Sequence, residues 1–537
     1  MPGPKAVILG LDGATLRLVE PWARSGLLPN LAGLMSDGSS GILRSTVPAT
    51  TPLAWPSIFT GCGPGKHGIF GFYKRTAGSY AWTKSSRLDL RRPPIWDILG
   101  VHGLRSGVFF VPYTFPAYAI HGVMVTGRGG ATDLDARISH PPGLAAELAA
   151  RFGRLAVVGK PRSVENVLED VAHDLEAAVR GKTDVIAHLV AREPLDFVFA
   201  VWDHTDTVAH LFWHHTHLPL PDESSPVFRI YKAVDDGIGK VLEAAGGDPI
   251  VMVCSDHGTY PVRYRVRMAP WLESAGFLQI AGSAQDKALR AAATASKKVP
   301  DRLRGMLPVR QLRRVKRRFQ PTVEKAFDWP ATRVYPQPAT AESLYVNMVG
   351  REPSGAVERS QLRVLLDELS DSLLRASAPT GERFVDAVHR GADAYTGSQT
   401  GNGPDLVVEA RRGFMLAPSR VGEKEIFWEP PLPRIEHDPP RSICYHDAEG
   451  MVIVRGPGVR SGTKIDAHCT DVVPTLLALL DLAGPPELDG RPIQVGVEEL
   501  AYTSMAMDLG DPGVTGSLSA EEERQIEKQL MDLGYVE

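Results

Sequence analysis

Short apolar runs rich in Val, Ile and Phe recur along the chain. They fall at Ala6–Leu11, Ser106–Val111, Asp196–Trp202, Pro249–Cys254, Leu406–Val408 and Gly450–Val454. Helical periodicities lie between many of them, at Ser163–Val190, Val227–Ala245 and Asp471–Leu482. Continuous apolar strands alternating with helices predict an α/β fold with a mostly parallel sheet covered on both faces. In such sheets ligands sit beyond the carboxyl ends of the strands. The stretches that directly follow these runs therefore carry the chemical interest.

One segment breaks the pattern. From about Ser283 to Gln320 the chain is rich in Lys, Arg and Ala, ending in a basic run over 309–319. It reads as a solvated helical insertion, or as a basic cap that draws anionic substrates toward the site or touches membrane or nucleic acid. The expected division is a core over 1–275, a basic helical insertion or cap over 276–330, the rest of the core over 331–500 and a helical tail over 501–537. Within the tail, Ser519–Leu530 reads as an exposed capped helix.

Bulk properties exclude several classes. The 537 residues are 43% hydrophobic and 23% charged, ordinary for a soluble globular enzyme, and the formal net charge of -4 argues neither for a nucleic-acid protein nor for an acidic disordered one, so no nucleic-acid binding is expected. The four cysteines form no CxxC pair and read as reduced thiols. The first apolar run is too short to span a membrane and lacks a signal-peptide cleavage site, and no later run is long enough for a transmembrane helix. These features together predict a cytoplasmic protein.

The candidate chemistry lies where the strands end. Asp12 closes the first run, followed by Gly13; a carboxylate there is costly unless solvated, paired or bound to a metal. After Trp202 come Asp203, His204, Asp206 and His210. The four-residue spacing of Asp206 and His210 places both on one helical face, close enough to chelate one ion. Asp203 competes with Asp206 on position alone, and the nearby His214, His215 and His217 are surplus. Asp256, His257 and Gly258 follow Cys254 closely, and His446 precedes the run Gly450–Val454. Asp12, Asp206, His210, Asp256, His257 and His446 make three carboxylates and three imidazoles. Mixed O and N ligation suits zinc first, with manganese or iron as alternatives, and six ligands divide into two divalent metal ions. Such a pair, about 3.5–4 Å apart, can clamp the attacking and leaving oxygens of a phosphoryl transfer. For a nucleophile, Thr46, Thr50, Thr51, Ser57 and Thr60 all qualify by chemistry.

These motifs, in their order, resemble the alkaline phosphatase superfamily, in its branch of type I phosphodiesterases and nucleotide pyrophosphatases. The likeness rests on LeuAspGly (11–13), ProAsnLeuAlaGlyLeuMetSerAspGly (29–38), ThrGly (60–61) with HisGlyIle (67–69), AspThrValAlaHis (206–210), SerAspHisGly (255–258), His446 and the 471–493 stretch. The resemblance implies an alkaline-phosphatase-like three-layer sandwich with a helical cap. It implies a metal-dependent hydrolase of phosphate esters, diesters or nucleotide pyrophosphates, working through a phospho-threonine. Phosphomonoesterase, phosphonate hydrolase and phosphomutase activities occur in the same superfamily. Counting back from Gly61 by the family's interval selects Thr51, with Thr50 next. The family's ligand split puts Asp206, His210 and His446 on one metal, and Asp12, Asp256 and His257 on the other with Thr51.

Two departures matter. CysGlyProGlyLys (62–66) imitates a sulfatase motif, but Lys66 replaces its Arg and the Cys follows the ThrGly pair, so Cys62 reads as structural. Where nucleotide pyrophosphatases place an asparagine after HisGlyIle, this chain has PheGlyPheTyr. Phe70, Phe72 and Tyr73 are therefore either an aromatic wall for a base or apolar ester group, or core packing.

Overall fold

In the computed structural model the described residues are 3–127, 136–153, 167–213, 220–281 except 222, 327–418, 424–429, 444–507 and 518–532. Most of the basic insertion, and His214, His215 and His217, lie outside them.

Nine strands form the main sheet: β1 (Ala6–Leu11), β2 (Ser39–Arg44), β3 (Ser106–Phe109), β4 (Gly122–Val125), β5 (Ser139–His140), β6 (Phe197–Trp202), β7 (Ile250–Cys254), β8 (Glu449–Arg455) and β9 (Lys464–His468). Their order is β9-β2-β8-β7-β1-β6-β3-β4-β5. β1 pairs in parallel with both β6 and β7. β8 runs antiparallel to both of its neighbours, and β5 antiparallel to β4.

The alternation along β1 explains the layers. Val7, Leu9 and Leu11 enter one apolar cluster, while Ala6 and Ile8 enter another on the opposite face. The first is closed by helices Leu16–Arg24, Val167–Arg192 and Pro226–Ala245. The second is closed by Thr51–Thr60, Ile95–Val101 and Val472–Leu479. The result is helix, sheet, helix, as the α/β reading expects.

Several expected elements differ in detail. The run Leu406–Val408 is a strand, but it belongs to a separate four-stranded antiparallel sheet rather than the main one. A buried apolar run carries no information on which partner supplies its hydrogen bonds. The strand at Ser106 stops at Phe109 because Phe110 takes φ 58. The tail helix Ala520–Asp532 has the expected cap, with Ser519 Oγ accepting from the Glu522 N–H and Glu522 Oε2 accepting from the Ser519 N–H. It is docked rather than exposed: Ile526 packs with Phe72 and Phe115, and Glu522 pairs with Arg137. No helix among the described residues is long and apolar enough to cross a membrane.

One buried carboxylate fastens the first helical layer. Helix Pro29–Asp37 has no side-chain cap of its own. Asp235, fully buried on Pro226–Ala245, accepts from the Leu31 N–H at 2.8 Å, the Asn30 N–H at 3.2 Å and Asn30 Nδ2 at 3.1 Å. Asp235→Ala strands the buried Leu31 N–H and removes the acceptor of Asn30, and is expected to cost about 1–3 kcal/mol, read as a lower urea midpoint with unchanged slope.

Candidate metal centre

Register brings the acidic residues to one level. Leu11 lies opposite Trp202, and Gly10 opposite Cys254. The residues that follow therefore leave the sheet side by side, at its carboxyl edge. Asp12 follows β1, Asp206 sits in the first turn of helix His204–Phe212 after β6, and Asp256 lies just past β7. Gly13, at φ 67, turns the chain away; a Cβ there would meet Asp206 Oδ1 at 2.9 Å. Only a glycine lets β1 and that helix approach so closely.

His446 arrives from much further along the chain. Its strand, Cys444–Asp447, pairs antiparallel with Gly258–Pro261, and His446 lies opposite Thr259. That pairing sets the imidazole against His257, with ring centroids 3.9 Å apart.

All six sequence-predicted ligands meet in one buried cluster. His210 Nε2 lies 3.2 Å from Asp206 Oδ1 and 3.2 Å from His446 Nε2, and His446 Nε2 is 3.9 Å from Asp206 Oδ1. On the other side, His257 Nε2 lies 3.4 Å from Asp256 Oδ2 and 3.7 Å from Asp12 Oδ1. Donor atoms of Asp206, His257 and His446, and of Asp12, Asp256 and His257, converge within 4.8 Å as two groups. His257 therefore borders both.

The donor set fits cations. His257 Nδ1 donates to the Gly258 carbonyl at 2.9 Å, and His446 Nδ1 to the Ala49 carbonyl at 3.0 Å. A carbonyl only accepts, so each Nδ1 holds the proton and each Nε2 lone pair faces the cluster. Burial pushes His446 well below the usual imidazole range, keeping it neutral. Burial raises Asp256, partly offset by the Gly13 N–H on Oδ1 at 3.1 Å. Its Oδ2 is buried and accepts no hydrogen bond. Burial also works against ionised Asp206, but His210, whose Nε2 lies 3.2 Å from Oδ1, leads the influences that hold it well below the usual carboxylate range. Converging lone pairs and carboxylates in a dry site call for positive charge.

Asp203 faces elsewhere. It pairs with Lys182 and lies 3.3 Å from His204 Nδ1.

Among the five candidate hydroxyls, Thr51 meets the cluster: Oγ1 is 3.4 Å from His257 Nε2. Thr46, Ser57 and Thr60 donate to backbone carbonyls of Pro48, Leu53 and Pro56. Thr50 is the N-cap residue of helix Thr51–Thr60, so Thr51 opens the helix at its electropositive end.

The sequence reading missed Trp55. One turn beyond Thr51 on the same helical face, its indole N–H donates to Asp12 Oδ2 at 3.1 Å. The four-residue spacing was the available signal. Tyr445, stacked on His446 at 4.7 Å, was also missed. Phe70 packs with Leu53, Tyr395 and Val407, and Phe72 with Phe115 and Ile526. Tyr73 stacks under the Lys84 ammonium. Cys62 is buried and unpaired, its thiol pushed up to about 12 chiefly by burial.

A nine-stranded, mostly parallel sheet between helical layers, with this cluster beyond its strand ends, is an alkaline-phosphatase-like fold. The profile of the type I phosphodiesterase / nucleotide pyrophosphatase family matches residues 6–427, and the chain belongs to that family of metal-dependent phosphoester hydrolases. His446 lies beyond the matched stretch. Among solved structures, the phosphonoacetate hydrolase of Sinorhizobium meliloti 1021 with phosphonoacetate is 15% identical at TM-score 0.52, covering 88% of this chain and 94% of that one. Its complex with phosphonoformate gives 15% identity, TM-score 0.51 and the coverages 88% and 94%. Murine ectonucleotide pyrophosphatase/phosphodiesterase 5 is 12% identical at TM-score 0.48, covering 90% of this chain and 96% of that one. No curated protein matches the chain.

Proposed function

We propose that the chain hydrolyses phosphodiesters or nucleotide pyrophosphates, with Thr51 as nucleophile and two divalent cations, zinc first, held by the six side chains. The observation that carries this is Thr51 Oγ1 at a helix N-terminus, 3.4 Å from the imidazole that borders both halves of the cluster. Asp206, His210 and His446 would hold one cation; Asp12, Asp256 and His257 would hold the other. Bound there, the cations lower the pKa of a coordinated hydroxyl and offset charge on the phosphoryl oxygens.

The chain's own residues do the rest. Thr51 gives its hydroxyl proton to water and Oγ1 attacks phosphorus in line, its bond to phosphorus forming as the bond to one ester or anhydride oxygen breaks. That oxygen leaves as the alkoxide of a diester or the phosphate of a pyrophosphate, and the alkoxide takes up a proton from water. The threonine phosphoester is then cleaved by water, which restores the hydroxyl and releases the phosphoryl group. At the helix N-terminus the Thr51 N–H is the group placed to meet a phosphoryl oxygen, because Pro52 has no N–H and the Leu53 and Ala54 N–H groups donate to the Thr50 carbonyl. Trp55 fixes Asp12 so that its other oxygen stays turned to the cluster.

Among the described residues the leading electrostatic influences on Asp206, Asp256 and His446 are other members of the cluster and backbone groups beside them, none of them a Lys or Arg. That supports a singly charged diester over a monoester, whose extra anionic oxygen needs another cation. Four buried free thiols support a reducing compartment such as the cytoplasm.

The test is a panel of bis-p-nitrophenyl phosphate, p-nitrophenyl phosphate, a nucleotide pyrophosphate and a phosphonate, each with zinc, manganese or magnesium. The diester or pyrophosphate should turn over fastest, and chelation should stop it reversibly. Preferred turnover of the monoester or the phosphonate would replace this reading with that one.

A further inference from the structure

The hairpin formed by Val334–Pro336 and Ser343–Val346 holds a second group of buried polar side chains, separate from the six. Gln337, Thr340, Glu342 and Ser343 are each no more than 3% exposed. Among the described residues Gln337 Oε1, Thr340 Oγ1 and Ser343 Oγ have no hydrogen-bond partner, and the Glu342 carboxyl, faced only by the Tyr445 hydroxyl, keeps at least one oxygen without one. Buried polar atoms are nearly always partnered, because each lost partner leaves a desolvation cost uncompensated. Four such side chains in one turn point to a partner the chain does not itself provide.

The turn lies beside the candidate centre. Glu342 is close enough to Tyr445 and Tyr260 to shift with and against them, and Tyr445 is stacked on His446. Ser343 pairs with Val407, which packs on Leu53 of the helix that Thr51 opens. On the other flank, Gln337 Nε2 donates to the Tyr73 carbonyl at 2.8 Å, and Ala339 packs against the Phe72 cluster. The turn thus joins the strand pair that carries His446 to the segment that follows the Thr51 helix.

The atoms define the ligand's chemistry. Gln337 Oε1 only accepts, an ionised Glu342 only accepts, and the two hydroxyls accept as well as donate. Burial raises Glu342 to about 7, and the Tyr445 hydroxyl is its leading favourable influence, with no Lys or Arg among the rest. A group that satisfies this turn must bring hydrogen-bond donors.

We propose that Gln337, Thr340, Glu342 and Ser343 form the subsite for one alcohol moiety of the ester, and that this alcohol is rich in hydrogen-bond donors. Neutral hydroxyls and a primary ammonium share that chemistry. The proposal rests on the reading that phosphate esters are bound beside Thr51, and it extends that reading to the substrate class.

Binding separates it from catalysis. Zinc-loaded protein is titrated calorimetrically with bis-hydroxyethyl, bis-aminoethyl and diethyl phosphate. At least one donor-bearing diester should bind about tenfold or more tightly than diethyl phosphate, since a site built to hydrogen-bond rejects the analogue that lacks the donor. The tighter of the two tells hydroxyl from ammonium. Glu342→Gln and Thr340→Val, which keep side-chain shape, should each erase most of that advantage. Equal binding of all three, or an advantage that survives both substitutions, overturns the subsite. Because no turnover is needed, a donor preference that holds while Thr51→Ala retains full hydrolysis would sink the catalytic reading and leave the subsite standing.

Discussion

Thr51→Ala is expected to lower diester hydrolysis by on the order of 10⁴–10⁶, the scale of removing a covalent nucleophile, while bound metal is retained. Thr51 is 1% exposed, opens helix Thr51–Thr60 and faces His257 at 3.4 Å. Alanine keeps the helix start, because Thr50 remains the N-cap residue and Pro52 follows. The loss should therefore appear in kcat, with folding and metal content close to those of the parent. Thr50→Ala is the matched comparison: Thr50 has no side-chain cap bond to lose and should retain most of the rate. A Thr51→Ala enzyme of near-normal rate, beside a dead Thr50→Ala enzyme, would move the nucleophile by one residue.

The second large effect is expected at His257. Its Nε2 lies within 3.7 Å of Asp12, Asp256 and Thr51, and its ring stacks on His446 at 3.9 Å. Removing it takes a donor from the border of both halves and leaves Asp256 Oδ2 without its neighbour. His257→Ala should lower metal affinity and activity together by at least about a hundredfold, beyond the range of changing a mere supporting contact. His204→Ala makes the contrast. His204 is as buried, at 2%, but neighbours Asp203, which Lys182 already engages. Metal content should be unchanged there. Equal losses at His204 and His257 would mean that both act through folding alone.

Much of this arrangement is legible in the primary structure, and the reason is local. β1, β6 and β7 are buried on both faces, so each reads as an unbroken apolar run, and the polar residue at its end marks the sheet's carboxyl edge. Asp206 and His210 share a helical face by spacing alone. Asp203 could not be set aside that way, because its partner Lys182 lies on another helix. The same limit hides the sheet that takes up Leu406–Ala410, and the pairing that brings His446 opposite Thr259. Long-range hydrogen bonds leave no periodic trace. The Gln337–Ser343 turn is the extreme case. Its side chains are ordinary loop residues by composition, and only burial without partners sets them apart. The departure at Phe72 was visible, yet its burial against Ile526 depends on a helix hundreds of residues later.

The central claim, that six side chains gather two cations beside Thr51, is tested most directly by counting metal in purified active protein and in the same protein after chelation and reloading. The account predicts two equivalents of divalent metal per chain, loss of activity as they are stripped, and recovery as both return. Full activity in protein that carries no metal would contradict it.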